Sequence, residues 1–277
     1  MSCSRLTFAQ DARDPIDDLT SQSEIVAEAQ PEAGGDQQPE NKKPPTPPHT
    51  GLRALFGGVV DDFKNLPSRG SMYILLAGGG AALAVHPADA TLNEHLRSHY
   101  TLVNDLYAPA KYFGDTPEQV GLSLVTYAWG RLFDQPKVSH LGMDLIQAQI
   151  MSEVLVDALK ISVRRDRPDN SQGHWNFSFP SGHSAETFAG ATVLERHLGW
   201  KKAAIAYLVA TYVATSRLHD NVHYLSDVVF GAAIGTMAGR TVTRHGPNAW
   251  TLAPMTVPGG GFALLVVRTP TDDSHAR

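Results

Sequence analysis

The chain predicts an all-α fold: a helical bundle of about six core helices, with a disordered N-terminal tail before it and a short C-terminal β-hairpin after it. Three observations carry this. Apolar residues recur at helical spacing from residue 52 onward, Pro and Gly punctuate the apolar segments at helix-like intervals, and few stretches before residue 249 alternate as a half-buried strand would. The boundaries follow as a tail over 1–51, a helical domain over 52–248, and a hairpin and tail over 249–277.

Residues 1–51 hold nine acidic and four basic side chains, a net of −5, and a single aromatic, Phe8. A segment so rich in Pro, Gln and Glu buries too little apolar surface to offset chain entropy, so it reads as a solvated spacer. The whole chain also carries −5, so the remainder is balanced and has no basic stripe of the kind that grips nucleic acid. Cys3 is the only cysteine, which excludes an intramolecular disulfide and leaves the compartment open. No apolar run precedes it, which argues against a lipoprotein signal.

From Leu52 to Leu66 the apolar residues Leu52, Leu55, Phe56, Val59, Val60 and Phe63 share a helical face. A helix packed on the domain is the expectation, with a helix lying on a membrane surface as the alternative. Ser71–Val85 is uncharged, follows Lys64 and Arg69, and ends near Ala88-Asp89-Ala90, which is the pattern of a signal peptide placed late in the chain. It is shorter than the roughly 20 residues of an ordinary membrane span. Gly78-Gly79-Gly80 weakens it further as an isolated helix. Anchor, signal and bundle helix stay open for 71–90, and a bundle helix that touches or crosses the membrane is expected.

Further helices are expected over about 93–107, 117–133, 139–163, 184–198, 201–217 and 227–242, with Gly199-Trp200, Pro136 and Pro168 as boundaries. Thr251–Val257 and Phe262–Val267 flank Pro258-Gly259-Gly260-Gly261, a hairpin pattern. Helix 139–163 carries Asp144, Glu153, Asp157 and Lys160, an expensive set for lipid, and the uncharged runs 203–216 and 228–239 are shorter than a full span. Membrane-spanning and soluble bundles both stay open. So does the oligomeric state.

Three short stretches carry the chemistry. The first is Lys160-Ile-Ser-Val-Arg-Arg-Asp-Arg167-Pro168. The second is Pro180-Ser181-Gly182-His183, and the third is Ser216-Arg217 with His223 and Asp227. A phosphate monoester is a dianion, and its transfer gathers more negative charge on the equatorial oxygens, so catalysis is mostly positioning and positive charge. Lys160, Arg167 and Arg217 supply that charge, the two arginines as planar forks and the lysine as a point charge.

Spacing adds detail. Residues seven apart return to one helical face, which puts Lys160 and Arg167 on the same side, and Pro168 places Arg167 at a helix end. Pro180 to His183 reads as a turn opening a helix. Ser181 is the expected N-cap, Gly182 admits a close ligand, the free amides attract an anion, and His183 stands at the edge. His223 and Asp227 are four apart, which brings them together on a helix. The carboxylate is then expected on Nδ1–H, leaving Nε2 free to attack.

The patterns K-x6-R-P over Lys160–Pro168, P-S-G-H over Pro180–His183 and S-R-x5-H-x3-D over Ser216–Asp227 occur in this order without a departure. The chain therefore resembles the type 2 phosphatidic acid phosphatase superfamily, which also holds bacterial non-specific acid phosphatases and vanadium haloperoxidases. The resemblance implies a phosphoric monoester hydrolase with no metal or cofactor. His223 is the implied nucleophile forming a phosphohistidine, with Asp227 orienting it. His183 is the implied general acid, then the base for water. Lys160, Arg167, Ser181, Gly182 and Arg217 are the implied phosphoryl ligands. The expected substrate is a lipid phosphate, an isoprenoid or other diphosphate, or a small phosphomonoester, and the expected place is the cell envelope, membrane-associated or periplasmic.

Two competitors share the pattern. Vanadate in the same pocket would make a haloperoxidase, but such enzymes carry long insertions that this chain lacks. A non-catalytic scaffold would show decayed motif positions, and none has decayed.

Other features read more plainly. His219 and His223 have zinc-ligand spacing, but the pair lacks the Glu of H-E-x-x-H, with Asp220 and Asn221 in its place, and no third ligand is evident, so no metal is expected there and His219 is a rim or structural histidine. Arg164 and Arg165 are expected as cations in a helix's last turn. His174, Trp175, Phe177 and Phe179 form either a leaving-group wall or a packed loop. Glu186 supports a helix N-terminus, and Trp129 and Trp200 are core or interface residues. Gly57-Gly58 and Gly78-Gly79-Gly80 lack the following Lys-Ser/Thr of a nucleotide loop.

Overall fold

The longest helix among the described residues is α7, Pro136–Val163. The computed structural model describes residues 50–96, 101–171 and 176–244, the isolated positions 44 and 47, and the backbone of 250–256 and 262–268. The spacer expected over 1–51 lies outside the described residues apart from 44, 47, 50 and 51.

Among the described residues the other helices are α1 (Leu52–Asn65), α2 (Arg69–Val85), α3 (Asp89–Leu96), α4 (Thr101–Tyr107), α5 (Ala110–Gly114), α6 (Thr116–Leu132), α8 (Gly182–Leu198), α9 (Trp200–His219) and α10 (Leu225–Val242). A 3-10 turn, His86–Ala88, joins α2 to α3. The all-α expectation stands, and most helix boundaries agree to within a few residues; the single helix expected over 93–107 falls on α3 and α4, with 97–100 outside the described residues, and α5 was not expected. Pro136 opens α7 at its first position, where a missing N–H costs nothing.

Small residues decide which helices approach. Gly231, Gly235 and Gly239 recur every four residues on one face of α10, and a Cβ on any of them would land on the α8 backbone or the residues beside it: Ser181 O, Ala185 O and Ala189 O respectively. Helix α8 therefore lies directly on this ridge. On the other side, Gly142 of α7 meets the backbone of Tyr127, and Gly130 of α6 meets that of Ser139. Leu145, Ala148 and Met151 of α7 fill the core with Ala189 and Val193 of α8 and Ala238 and Val242 of α10. A second cluster, Val156, Ala185 and Ile234, sits nearer the motif end.

Helix α1 packs on the domain through Leu55, with Gly58 pressed on the side chain of Gln147, while Leu52, Phe56 and Val60 stay exposed. Helix α2 lies on α10, where Gly78 meets Ala233 and Ser71 Oγ is 3.2 Å from Thr241 Oγ1. The continuous helical stretch Arg69–Leu96 is long and apolar enough to cross a membrane, the one such stretch among the described residues, and only 11% of its most apolar window is buried. Trp129 and Trp200 are not core residues: they are 53% and 60% exposed, and their rings lie tilted against Phe133 and Tyr207.

Candidate active site

The motif residues meet where the C-terminal end of α7, the N-terminus of α8, the last turn of α9 and the N-terminus of α10 converge. Lys160 stands in the last turn of α7, but the helix closes at Val163, with Arg164 left-handed at φ 54°. Arg167 is therefore outside the helix, and the expected shared helical face with Lys160 is replaced by a chain that folds back. Ser178 N donates to Arg165 O at 2.8 Å and anchors that return.

Ser181 occupies the N-cap position of α8, yet its hydroxyl makes no capping bond, and Ser181 Oγ is buried without a hydrogen-bond partner. This corrects the expected capping role. Its backbone N–H donates to Asp227 O at 3.1 Å, which ties the α8 turn to α10. The next amides stand at the free head of a helix, an anion-attracting position. Lys160 Nζ lies 3.7 Å from where a Cβ on Gly182 would be, so glycine keeps the space beneath the ammonium open.

Arg167 and Arg217 also bury their Nε atoms with no hydrogen-bond partner, and burial pulls both guanidiniums below their ordinary pKa. Arg217 has a partial partner in Asp220, 3.3 Å away. Desolvated cations and hydroxyls with unmet hydrogen-bonding capacity are costly unless a ligand satisfies them.

His223 is not on a helix. It precedes Tyr224, the N-cap of α10, so the expected i, i+4 approach to Asp227 forms across the helix start rather than along a helix. Its Nδ1 lies 2.6 Å from Ser178 O and 3.6 Å from Asp227 Oδ2. A carbonyl oxygen only accepts, so Nδ1 carries the proton and Nε2 is the unprotonated nitrogen. The tautomer is thus set by a backbone carbonyl, with Asp227 behind it as a charge. Asp227 Oδ2 instead accepts from Tyr224 N at 2.8 Å, and Oδ1 from Arg165 at 2.6 Å.

His183 is depressed to about 3, first by burial and then by the charges of Arg217, His223, Lys160 and Arg167, which shows how closely those four surround it. Its Nε2 lies 2.8 Å from Asp115 Oδ1, a close approach that lacks hydrogen-bond alignment. Burial likewise lowers His223, against the opposing pull of Asp227.

Sequence reasoning missed three residues here. Arg165 is not a last-turn cation: it lies beyond the helix, bonds Asp227, Ser226 and Asp89 at 2.6, 2.7 and 2.8 Å, and stacks 3.9 Å over the Tyr224 ring. Asp115 carried no local signal. Glu186 is buried rather than supporting an exposed helix start. It accepts from Thr116 Oγ1 at 2.7 Å and is driven well above the carboxylate range by desolvation and by a hydrogen bond with Glu153, against the opposing pull of Thr116 and Lys160. His219 is structural: its Nε2 meets Asn104 Oδ1 at 2.9 Å and its ring stacks on Tyr107. His174 and Trp175 lie outside the described residues, and Phe179 stacks on Phe230 at 5.2 Å.

Several known proteins are similar to this chain. The model of the PAP2 superfamily matches residues 141–250, the stretch that holds all three motifs. A lipid A 1-phosphatase of Porphyromonas gingivalis is 36% identical over 116 residues, covering 40% of this chain and 23% of that protein. A decaprenylphosphoryl-5-phosphoribose phosphatase of Mycobacterium tuberculosis is 35% identical over 94 residues, covering 32% of this chain and 51% of that protein. The chain spans less than two thirds of the length of the curated relatives it matches. The fold is shared with a transmembrane PAP2 type phosphatidylglycerolphosphate phosphatase from Bacillus subtilis, at a TM-score of 0.53 and 22% identity over 65% of this chain and 94% of that one.

Proposed function

From the premise that the chain belongs, through residues 141–250, to the PAP2 superfamily, we propose that it is a phosphatase that hydrolyses a phosphate monoester carried on a lipid, through a phosphohistidine. One observation carries the reading: Arg167 Nε, Arg217 Nε and Ser181 Oγ are buried and unpartnered beside a histidine whose Nδ1–H is held by Ser178 O. That is a hollow built for an oxyanion with a nucleophile beside it.

In the proposed first step His223 Nε2 attacks phosphorus, the bond to the leaving oxygen breaks, and protonated His183 gives its proton to that oxygen. Burial, and after it the surrounding cations, keep His183 unprotonated in the free site, and the bound dianion offsets those cations and favours the proton. In the second step neutral His183 takes a proton from water, the water oxygen attacks phosphorus, and the N–P bond breaks to return neutral His223 and free phosphate. Lys160, Arg167 and Arg217 supply the positive charge, so on this reading no metal or cofactor takes part.

An apolar cavity of about 290 Å³ supports a lipid substrate. Leu83, Val163, Phe179 and Phe230 line it, and Arg165 and Ser226 connect it to the Asp227 side of the site. The related proteins are named for lipid A, prenyl-phosphoribose and other lipid phosphates. The apolar, poorly buried Arg69–Leu96 stretch supports association with a membrane, proposed as that of the cell envelope. The proposal includes a C-terminal hairpin, supported by antiparallel register of Trp250–Thr256 with Phe262–Arg268, Trp250 opposite Arg268.

The test measures phosphate release from phosphatidic acid in mixed micelles and from p-nitrophenyl phosphate, with vanadate as inhibitor. Faster release from the lipid, blocked by vanadate and absent in His223→Ala, is expected. Turnover in His223→Ala, or halide oxidation without phosphate release by the vanadate-loaded protein, would overturn the reading.

A further inference from the structure

A second cluster of chemistry-bearing residues lies at the other end of the bundle. His140 and Asp144 are four apart in the first turns of α7, and His197 is in the last turn of α8. His140 Nε2 is 3.4 Å from Asp144 Oδ1, and His197 Nε2 is 2.8 Å from Asp144 Oδ2. The two imidazoles meet edge to face at 4.8 Å. All three side chains are at least nine-tenths buried, at 1%, 0% and 9% exposed. Asp144 is sixteen residues from Lys160 along α7, about 24 Å at the α-helical rise, so the cluster is no part of the phosphate site.

We propose that His140, Asp144 and His197 form a binding site for a divalent transition ion, zinc foremost, that pins α7 to α8. Two imidazole nitrogens and one carboxylate are a donor set that suits zinc and its neighbours better than magnesium or calcium, and three protein ligands leave a fourth position for water. Around a tetrahedral zinc with bonds near 2.05 Å, donor atoms stand about 3.3 Å apart. Here the three donor atoms already lie within 4.8 Å of one another, so small side-chain rotations close the cage. Both imidazoles offer Nε2, which requires the tautomer protonated at Nδ1. Rigid helices carry all three ligands, which preorganises the site. None of this depends on the proposed catalytic reading.

The experiment uses the full chain without a histidine tag, stripped by chelator and then offered zinc ion alone or cobalt(II) as a spectroscopic stand-in. One zinc per chain is expected by elemental analysis, with a higher melting temperature when zinc is present, and a visible ligand-field spectrum for the cobalt form. His197→Gln, at the least buried ligand, should bind zinc roughly tenfold or more weakly and lose the thermal response. Asp144→Asn, if it folds, should do the same. His223→Ala should bind as the unaltered protein does, which separates this site from the His219–His223 pair. Substoichiometric zinc with no thermal response would mean the three groups are only a hydrogen-bonded triad, and the proposal falls. Stoichiometric zinc retained by His197→Gln would place the ion elsewhere and overturn it too.

Discussion

His223 Nδ1 stands 1.0 Å nearer to the carbonyl oxygen of Ser178, at 2.6 Å, than to the carboxylate of Asp227, at 3.6 Å. Two residues thus divide a task that a triad carboxylate performs alone: the carbonyl holds the proton on Nδ1, and the carboxylate supplies charge from behind. Where a triad carboxylate alone sets the tautomer, its amide replacement costs about 10⁴ in turnover. Here Asp227→Asn should cost clearly less and keep a measurable phosphoenzyme burst, while His223→Ala shows neither burst nor turnover. Rapid-quench labelling with phosphate-labelled substrate reads the difference, and equal losses in the two variants would refute the division.

Arg165 is the only described cation within ion-pair distance of both Asp227 and Asp89, whose side chains are 0% and 4% exposed. Arg165→Gln would leave two buried carboxylates without their cation, a loss of about 3–5 kcal/mol in comparable buried networks. A large drop in denaturant midpoint is expected. Adding Asp89→Asn should recover part of it, because one stranded charge is then removed. A double variant no more stable than the single one would count against this pairing.

The depressed His183 makes stability depend on pH in a definite direction. Its folded pKa is about 3 against an ordinary 6.5, so between those values the unfolded chain binds the proton that the native site refuses. The contribution of His183 to stability is therefore fully present above about 6.5 and is lost as pH drops toward 3. His183→Gln should flatten the slope of melting temperature against pH between 7 and 4. An unchanged slope would show that other groups set it.

Glu186 gives the opposite slope. Desolvation and the hydrogen bond with Glu153 raise its pKa above the unfolded value of 4.5, so the native state holds a proton that the unfolded state releases. Stability is present below the unfolded pKa and declines as pH rises above it. Glu186→Gln keeps an acceptor for Thr116 Oγ1 but has no proton to lose. Its melting temperature, relative to the unaltered protein, should gain more at pH 8 than at pH 5. No pH dependence in that difference would contradict the shared proton.

The α10 ridge carries the site mechanically. Gly235→Ala would drive a methyl into Ala185 O of α8, and backbone cannot yield as a side-chain tip can. Overpacking of this sort costs about 1–3 kcal/mol. Because α8 presents Ser181, Gly182 and His183, its displacement should lower kcat along with stability. Wild-type melting temperature and kcat in Gly235→Ala would remove the ridge from the argument.

Contiguous chemistry was legible in the chain alone. Lys160, Arg167, Ser181, Gly182, His183, Arg217, His223 and Asp227 announce themselves because each motif gathers its chemistry-bearing residues within a dozen positions. Helices were legible too, because a 3.6-residue apolar period is a local property. Tertiary structure decided everything that depends on partners distant in sequence. Arg165 looked like a helix-end cation until the fold brought Asp89 and Asp227 to it, 76 and 62 residues away. The tautomer of His223 belongs to Ser178, 45 residues away, and Glu186 keeps its proton because the fold buries it and brings Glu153 of α7 against it. His140, Asp144 and His197 converge because α8 runs along α7 from Gly182 beside Lys160 to His197 beside Asp144. Local patterns are written in residue order, whereas hydrogen bonds, desolvation and charge coupling act through space, where only the folded chain sets the distances.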